Sequence, residues 1–484
     1  MTLEQHTHYV DGSWVTPLGT DRLEVVNPAT EEVYGGIPDA SAADVDRAVE
    51  AARVAFYDGD WRHWTPQARA DVLVRVADEL AKRNDDMAAV LTSEMGSPIS
   101  QSRFGQIPVT IELLRYYTEQ AGNYAWQTRK PSWDAANKGL DVVVQQEPVG
   151  VVGAITPWNG PQICTMMKVA PALLAGCTMV FKPAPEASLN FIGFAEAFEA
   201  AGLPPGVLNI VTGGAATGEH LVTHDDVDKV AFTGSVAVGR KIASLCAERL
   251  RPVTLELGGK SPALLLEDAD VEQAVASLLV PMLFVSGQAC NAPTRILAPR
   301  SRHAEVVDAL VAAMDAIPLG DPTDPATGVG PMTSKAQRER VLGYIEVGKA
   351  EGAKVALGGG RPAGFDRGWY VDKTVFTDVD NSMRIAQEEI FGPVCAVIAY
   401  DGEDDGVRIA NDSRLGLAGS VWTADPEHGF EVASRLRSGS LGVNAHGLDA
   451  AAPLAGMRDS GIGCERGIEA IDDYVSPKGI LVPS

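Results

Sequence analysis

The sequence has no long apolar run. Its longest, near Leu278–Val285, is interrupted by Pro281 and falls short of the ~18–20 residues that a membrane-spanning helix requires. Cysteine is sparse: Cys164, Cys177, Cys246, Cys290, Cys395 and Cys464 are scattered over 484 positions without a CxxC. That excludes a dense disulfide framework and reads as reduced thiols in a reducing compartment. None of the eight histidines (His6, His8, His63, His220, His224, His303, His428, His446) stands in an HExxH, so a metal hydrolase has no support and no metal is expected. His6 and His8 read as a solvated arm. Positive charge is in deficit too. Forty Lys and Arg against sixty-four Asp and Glu leave a net charge of −24, which argues against a nucleic-acid partner and an anionic membrane surface. The start, Met1-Thr-Leu-Glu-Gln, lacks a basic region leading into an apolar one, so no secretory signal is visible and a cytoplasmic location is expected.

What is present is globular. Apolar residues make up 45% of the chain and charged residues 21%, and the length suggests roughly two to four domains. The first forty residues alternate in period two between turn residues, as short strands do. Helical spacing begins at Ser41, placed as an N-cap, and continues through 66–83, 85–94 and 105–119. Leu140–Gln146 and Lys478–Pro483 read as two strands without an obvious core, hence candidates for edge pairing with another element or subunit. From 148 to 258 strands and helices alternate strictly, with strands at 149–155, 178–181, 207–211, 229–232 and 253–257. This pattern predicts a parallel, doubly wound α/β sheet. A second α/β run occupies 260–440, with helices at 270–279, 302–316 and 335–351.

In open parallel sheets ligands bind beyond the carboxyl ends of the strands. Here those ends carry Thr156-Pro-Trp-Asn159, Lys182-Pro-Ala-Pro-Glu186, Thr212-Gly-Gly, Thr233-Gly-Ser235 and Glu256-Leu-Gly-Gly-Lys260. Turn residues are expected there, but an amide, a lysine, hydroxyls and a carboxylate together point to a site. The run Phe232-Thr-Gly-Ser-Val-Ala-Val-Gly239 is not GxGxxG. Its tight turn into a helix start still offers free N–H groups to a phosphate. Cys290 follows Gly287 among polar neighbours. A free cysteine is more commonly a small buried hydrophobe, which suits Cys177, Cys246 and Cys395. Cys290 is set apart as a candidate nucleophile, with Glu256 and Asn159 as candidate base and oxyanion donor.

Six motifs in order resemble the aldehyde dehydrogenase superfamily: Pro157-Trp-Asn159, Phe181-Lys-Pro183, Phe232-Thr-Gly-Ser235, Leu255-Glu-Leu-Gly-Gly-Lys-Ser-Pro262, Gly287-Gln-Ala-Cys290 and Glu388-Glu-Ile-Phe-Gly-Pro393. The resemblance covers almost the whole chain, from Tyr9 to the final strand. It implies a Rossmann-like cofactor domain (1–123 and 147–258), a catalytic α/β domain (259–445), bridging strands (124–146 and 470–484) and a return to the cofactor domain (446–469). It implies homodimers or tetramers built through those strands.

It also implies a reaction. Cys290 attacks an aldehyde carbonyl, Asn159 and the Cys290 N–H hold the oxyanion, hydride passes to nicotinamide, and Glu256 activates the water that releases the acid. Glu465 matches a family glutamate assigned to a water or proton relay, while Lys260 reads as structural. Cofactor contacts carry over to Lys182 (adenosine ribose), Ser235 (pyrophosphate), Glu389 (nicotinamide ribose) and Phe391 (nicotinamide ring). Thr156, Pro157, Trp158, Thr233, Gly234 and Leu257 lie alongside them. Many NAD-preferring relatives carry glutamate three residues after the lysine. Here that residue is Pro185 with Glu186 next, so NAD is favoured with NADP not excluded. The substrate pocket falls to Gly160, Ile163, Cys164, Met167, Phe284 and Leu454. Gly160 and Met167 replace bulky aromatics of several relatives, and Pro453-Leu-Ala-Gly456 stands where relatives often show Pro-Phe-Gly-Gly. A wider apolar pocket for a bulky aromatic, terpenoid or long aliphatic aldehyde is expected. The competing readings are a semialdehyde dehydrogenase, CoA-acylating or not, and a non-catalytic member that kept the fold. Glu256 argues against CoA acylation.

Overall fold

The computed structural model describes residues 3–484. Strands Val151–Ile155, Thr178–Lys182, Leu208–Ile210, Lys229–Thr233 and Val253–Glu256 form a parallel sheet, as their near-continuous apolar character requires of a sheet covered on both faces. In space the order is fifth, fourth, first, second, third, a doubly wound arrangement. Antiparallel strands cap both edges. Gly461–Ile462 pairs with Val253–Glu256, and the hairpin His8–Val10/Ser13–Val15 pairs with Leu208–Ile210. A second sheet of seven strands runs Lys354–Leu357, Thr374–Thr377, Val394–Tyr400, Arg295–Pro299, Pro262–Leu265, Ala418–Trp422, Ser440–Val443, parallel except for its first member. The expected α/β class is what the structure has.

Helix Pro161–Ala175 is the central packing element. All its residues but Ile163 are buried, between the first sheet and helices Pro66–Lys82 and Ile107–Glu119. Mostly apolar, with its buried polar groups Gln162, Thr165 and Lys168 each hydrogen-bonded, it belongs in the interior of a large core. Ser41 does cap helix Ala42–Tyr57, in a reciprocal box with Asp44.

The two orphan strands do pair with another element, each with the other: Val475–Pro483 runs antiparallel to Leu140–Pro148 over nine residues, and Gln127–Pro131 adds a third strand. Their cores were invisible in sequence because one partner lies more than 300 positions from the other. Three expectations are corrected. The helix expected over 270–279 continues to Leu283, carrying Pro281 inside it. The stretch expected as one helix from 105 instead starts as a π-helical turn, Ser102–Gln106, followed by Ile107–Glu119 with Pro108 in its first turn. Pro108 has no N–H to give to the preceding turn, and it stands where the π-helical turn hands over to the α-helix. His8, expected in a solvated arm, is buried in the edge hairpin. Among the described residues, no helix is long and apolar enough to cross a membrane.

Candidate active site

Strand order reverses between Val151–Ile155 and Lys229–Thr233, and a crevice opens beyond their carboxyl ends at such a switch point. Here it is a cleft of about 200 Å³. Pro157, Trp158 and Asn159 line one wall, and Thr233, Gly234 and Ser235 another. Leu257 and Gly258 follow Glu256, Cys290 arrives from the second sheet's side, and Glu389 and Phe391 close the far wall. Trp158 and Phe391 meet edge to face, with centroids 5.4 Å apart.

Each wall is fixed locally. Ser235 caps helix Val236–Ala247, its Oγ accepting from the Val238 N–H, so the helix's positive end faces the cleft. Gly234 packs under the Phe232 ring, where a Cβ would come within 2.5 Å. The Gly258-Gly259 pair is dictated by close approach. A Cβ on Gly258 would lie 2.4 Å from the Glu389 carboxylate and one on Gly259 would lie 2.3 Å from the Cys290 carbonyl oxygen. The Gly259 N–H donates to Glu389 Oε1 at 3.1 Å. Gly259→Ala is therefore expected to push the Cys290 backbone aside and lower kcat by about a hundredfold, the typical cost of a ~1 Å misplacement. Steady-state kinetics on the purified variant checks this; a wild-type kcat would contradict the packing.

Cys290 sits after a strained turn. Val285, Ser286 and Gly287 have φ of 49°, 58° and 76°, a left-handed run that two non-glycine residues adopt only under constraint. The constraint is visible. The Val285 N–H donates to Gln101 Oε1 (2.7 Å), Ser286 Oγ donates to the Gly330 carbonyl (3.0 Å), and Gln288 Oε1 accepts from the Thr333 N–H (3.1 Å). Burial, then the neighbouring Cys164, Glu389 and Glu256, push the Cys290 thiol well above its ordinary pKa. Burial thus favours the thiol over the thiolate, and a nucleophile here needs a base.

Glu256 is 3% exposed, and neither carboxylate oxygen makes a well-formed hydrogen bond, although the Gly456 N–H favours the charged form. Burial, reinforced by Glu465, raises its pKa well above the carboxylate range. A carboxyl without partners in a low-dielectric site is poised to take and give a proton. Behind it Lys168 is fully buried, bonded to Glu465 and to Thr233 Oγ1. The Asn159 side chain is buried and has no hydrogen bond among the described residues, so its N–H donors remain available at the cleft.

Eight of the ten expected cofactor residues line the cleft; Thr156 and Lys182 do not. Thr156 turns inward to share a hydrogen bond with Thr165. Lys182 gives its ammonium to the Pro183 and Gly213 carbonyls at 2.8 and 2.7 Å, and burial lowers its pKa to about 8. The expected substrate residues do not line this cleft. Instead Cys164, Met167 and Leu454, with Ile163 and Phe284 against them, belong to the apolar cluster on which Cys290 packs. Gly160 lies just above Cys164, where a Cβ would stand 3.7 Å from its Sγ. Gln337 and Arg340 escaped the sequence reading. They line the cleft and hold the Glu389–Phe391 loop, donating to the Phe391 carbonyl at 2.7 Å and the Glu389 carbonyl at 2.6 Å. Both lie on helix Lys335–Ala350, where polar residues look like an ordinary solvated face.

A helix N-terminus and an aromatic pair at the switch point of a doubly wound sheet, with a thiol and a buried carboxyl beside them, are the parts that a nucleotide-dependent oxidoreductase would use. The aldehyde dehydrogenase family model matches residues 14–480. Geranial dehydrogenase of Castellaniella defragrans is 46% identical over 100% of both chains, and betaine aldehyde dehydrogenase of Atriplex hortensis is 39% identical over 98% of this chain and 95% of its own. Among solved structures, Mycobacterium tuberculosis aldehyde dehydrogenase complexed with NAD⁺ superposes with a TM-score of 0.97 at 44% identity, over 100% and 99% of the two chains. A mutant of aldehyde dehydrogenase C from Pseudomonas syringae, complexed with NAD⁺ and octanal, gives 0.94 at 41% over 98% and 96%. This chain belongs to the aldehyde dehydrogenase family and is an aldehyde dehydrogenase.

Proposed function

We propose that this enzyme oxidises a bulky, largely apolar aldehyde to its carboxylic acid with NAD⁺, through a thioester on Cys290. The carrying observation is the buried carboxyl of Glu256, without a well-formed hydrogen bond, at the strand end beside the cleft that holds the Cys290 thiol and the Asn159 amide. Glu256, deprotonated, takes the thiol proton and the thiolate attacks the carbonyl carbon. The oxyanion is received by the Asn159 amide and the Cys290 N–H, one such donor being worth ~3–4 kcal/mol. The nicotinamide, when bound, supplies the hydride acceptor. Glu256 then removes a proton from water as it adds to the thioester, and collapse expels the Cys290 thiolate and releases the acid. Between the two steps Glu256 must release the thiol proton, and the buried Lys168–Glu465 pair acts on its charge from behind.

The residues present suit a dinucleotide. The helix start at Ser235 takes a pyrophosphate, the Trp158–Phe391 pair takes an aromatic ring, and Glu389 takes a ribose. Glu186 lies close enough to Lys182 to act on its charge, and a carboxylate there repels a 2′-phosphate. Together with the NAD⁺ complexes of the relatives this supports NAD⁺ over NADP⁺. The absence of a side chain at Gly160, the pliable Met167, and relatives named for geranial or holding octanal support the apolar substrate. The exposed edges of the three-stranded sheet, Gln127–Pro131 and Val475–Pro483, are proposed as the self-association edges of a homodimer or tetramer.

Nicotinamide reduction, followed by absorbance across small, aromatic, terpenoid and long-chain aldehydes, tests this reading. With NAD⁺, C8–C10 aldehydes should exceed acetaldehyde in kcat/KM by about tenfold or more, each buried methylene contributing ~0.8 kcal/mol. CoA should make no difference. Acetaldehyde as the best substrate, or turnover that depends on CoA, would overturn it.

A further inference from the structure

Five arginines are buried: Arg69, Arg251, Arg295, Arg338 and Arg466. Four have oxygen partners. Arg295 donates to three backbone carbonyls and the Asn381 side chain, Arg69 to the Leu174 and Trp64 carbonyls, Arg251 to those of Val222 and His224, and Arg338 to Glu339. Arg466 is the exception. It is 5% exposed, and its one hydrogen bond among the described residues runs from Nε to the thioether of Met167 at 3.3 Å, a weak acceptor. No carboxylate lies within 4.0 Å of its guanidinium among the described residues. Its sequence neighbour Glu465 is turned onto Lys168 instead.

The chain holds Arg466 there firmly. Its backbone is left-handed (φ 59°), between Glu465, whose backbone is paired with Leu454, and Gly467, whose N–H donates to the Ala450 carbonyl at 2.9 Å. Met167 and Cys164, one helical turn apart on Pro161–Ala175, share the apolar cluster that carries Cys290. The thiols of Cys164 and Cys290 both lie near enough to act on the charge of Arg466. A second polar group, the Tyr117 hydroxyl, is within range of the same guanidinium and is itself buried without a partner. A desolvated cation and an unpartnered hydroxyl among apolar side chains are costly unless a ligand completes them.

We infer that Arg466, with Tyr117, forms an anion-accepting end of the substrate pocket, so that the preferred aldehyde has an apolar body ending in a carboxylate. This deepens, and rests on, the reading of Cys290 as the aldehyde-oxidising nucleophile. Guanidinium is the group suited to the task, because its planar donor fork receives both carboxylate oxygens and it stays charged when buried. The apolar body is accommodated by Met167, Cys164 and Leu454, and the carboxylate supplies the partner that the protein withholds.

The test compares 8-oxooctanoate, its methyl ester and octanal on the wild-type enzyme with NAD⁺. The oxo acid should exceed the ester in kcat/KM by about ten- to a hundredfold, chiefly through KM, the range of a charge-assisted hydrogen-bonded pair. In Arg466→Leu that ratio should fall to about one, and Arg466→Lys should restore part of it. An ester equal to or better than the oxo acid on wild-type enzyme would overturn the inference without requiring any variant to fold. Failure of all three substrates would overturn the proposed reaction instead. Calorimetry of octanedioate against the Cys290→Ala enzyme with NAD⁺, with and without Arg466→Leu, would then still decide the role of Arg466: loss of binding with the arginine supports it, and equal binding refutes it.

Discussion

Replacing Cys290 by alanine is expected to abolish NADH formation with every aldehyde, a fall of about 10⁵-fold or more, because the whole sequence of bond changes starts from its sulfur. No other thiol can take over. Cys164 is buried and burial pushes its pKa up to about 12; Cys464, also at about 12, is similarly disfavoured as a thiolate. Neither lines the cleft. The variant should still bind NAD⁺, since the helix start at Ser235 and the Trp158–Phe391 pair do not depend on the sulfur. Nucleotide titration by protein fluorescence, run beside the activity assay, separates the two effects. A residual rate above about 1% of wild type would move the nucleophile elsewhere.

The second large effect belongs to Glu256. Glu256→Gln should lower steady-state turnover by about 10²–10⁴-fold, the usual contribution of a positioned general base. The same substitution should make the protein more stable at neutral and alkaline pH. The folded-state pKa of Glu256 is raised by burial, so the folded protein holds its proton more tightly than the unfolded chain does. Stability is then lost as pH rises from the ordinary carboxylate value through the raised one. Glutamine carries no such penalty. Its melting temperature should exceed wild type by about 2 °C or more at pH 8, with the gain vanishing near pH 4, where both forms are neutral. For the wild-type enzyme the same shift requires turnover to rise with pH until Glu256 is ionised. A Glu256→Gln variant that is both inactive and less stable at pH 8 would point to a structural role for the carboxyl.

The parts of this molecule legible in its sequence are those set by local pattern. Apolar runs of four to seven residues between helical stretches marked the five strands of the nucleotide sheet, and Ser41 was readable as a cap because its partner Asp44 lies three residues on. The chemistry at the strand ends was readable too, and the fold brings Asn159, Ser235 and Cys290 to one cleft, with Glu256 at the strand end beside it. Long-range facts were not. Nothing local tells Val475–Pro483 that its partner is Leu140–Pro148, or that helix Val271–Leu283 can carry Pro281. Side-chain direction was equally hidden. Lys182 stands at a strand end as expected, yet its ammonium turns to backbone carbonyls. Gln337 and Arg340 matter only because the Glu389–Phe391 loop folds back on their helix. Arg466 shows the same limit, for a guanidinium without an oxygen partner is a property of three dimensions.

The central claim is that a Cys290 thioester forms and that Glu256 hydrolyses it. Intact-mass spectrometry of the Glu256→Gln enzyme, mixed with octanal and NAD⁺ and quenched in acid after one turnover, tests it most directly. Without its base the thiol should acylate more slowly than in wild type, and at the end of that slow phase the account predicts about one NADH per active site and a mass increase of one octanoyl group, mapped by peptide analysis to Cys290. NADH formed without any adduct on Cys290, or an adduct on another residue, would contradict it.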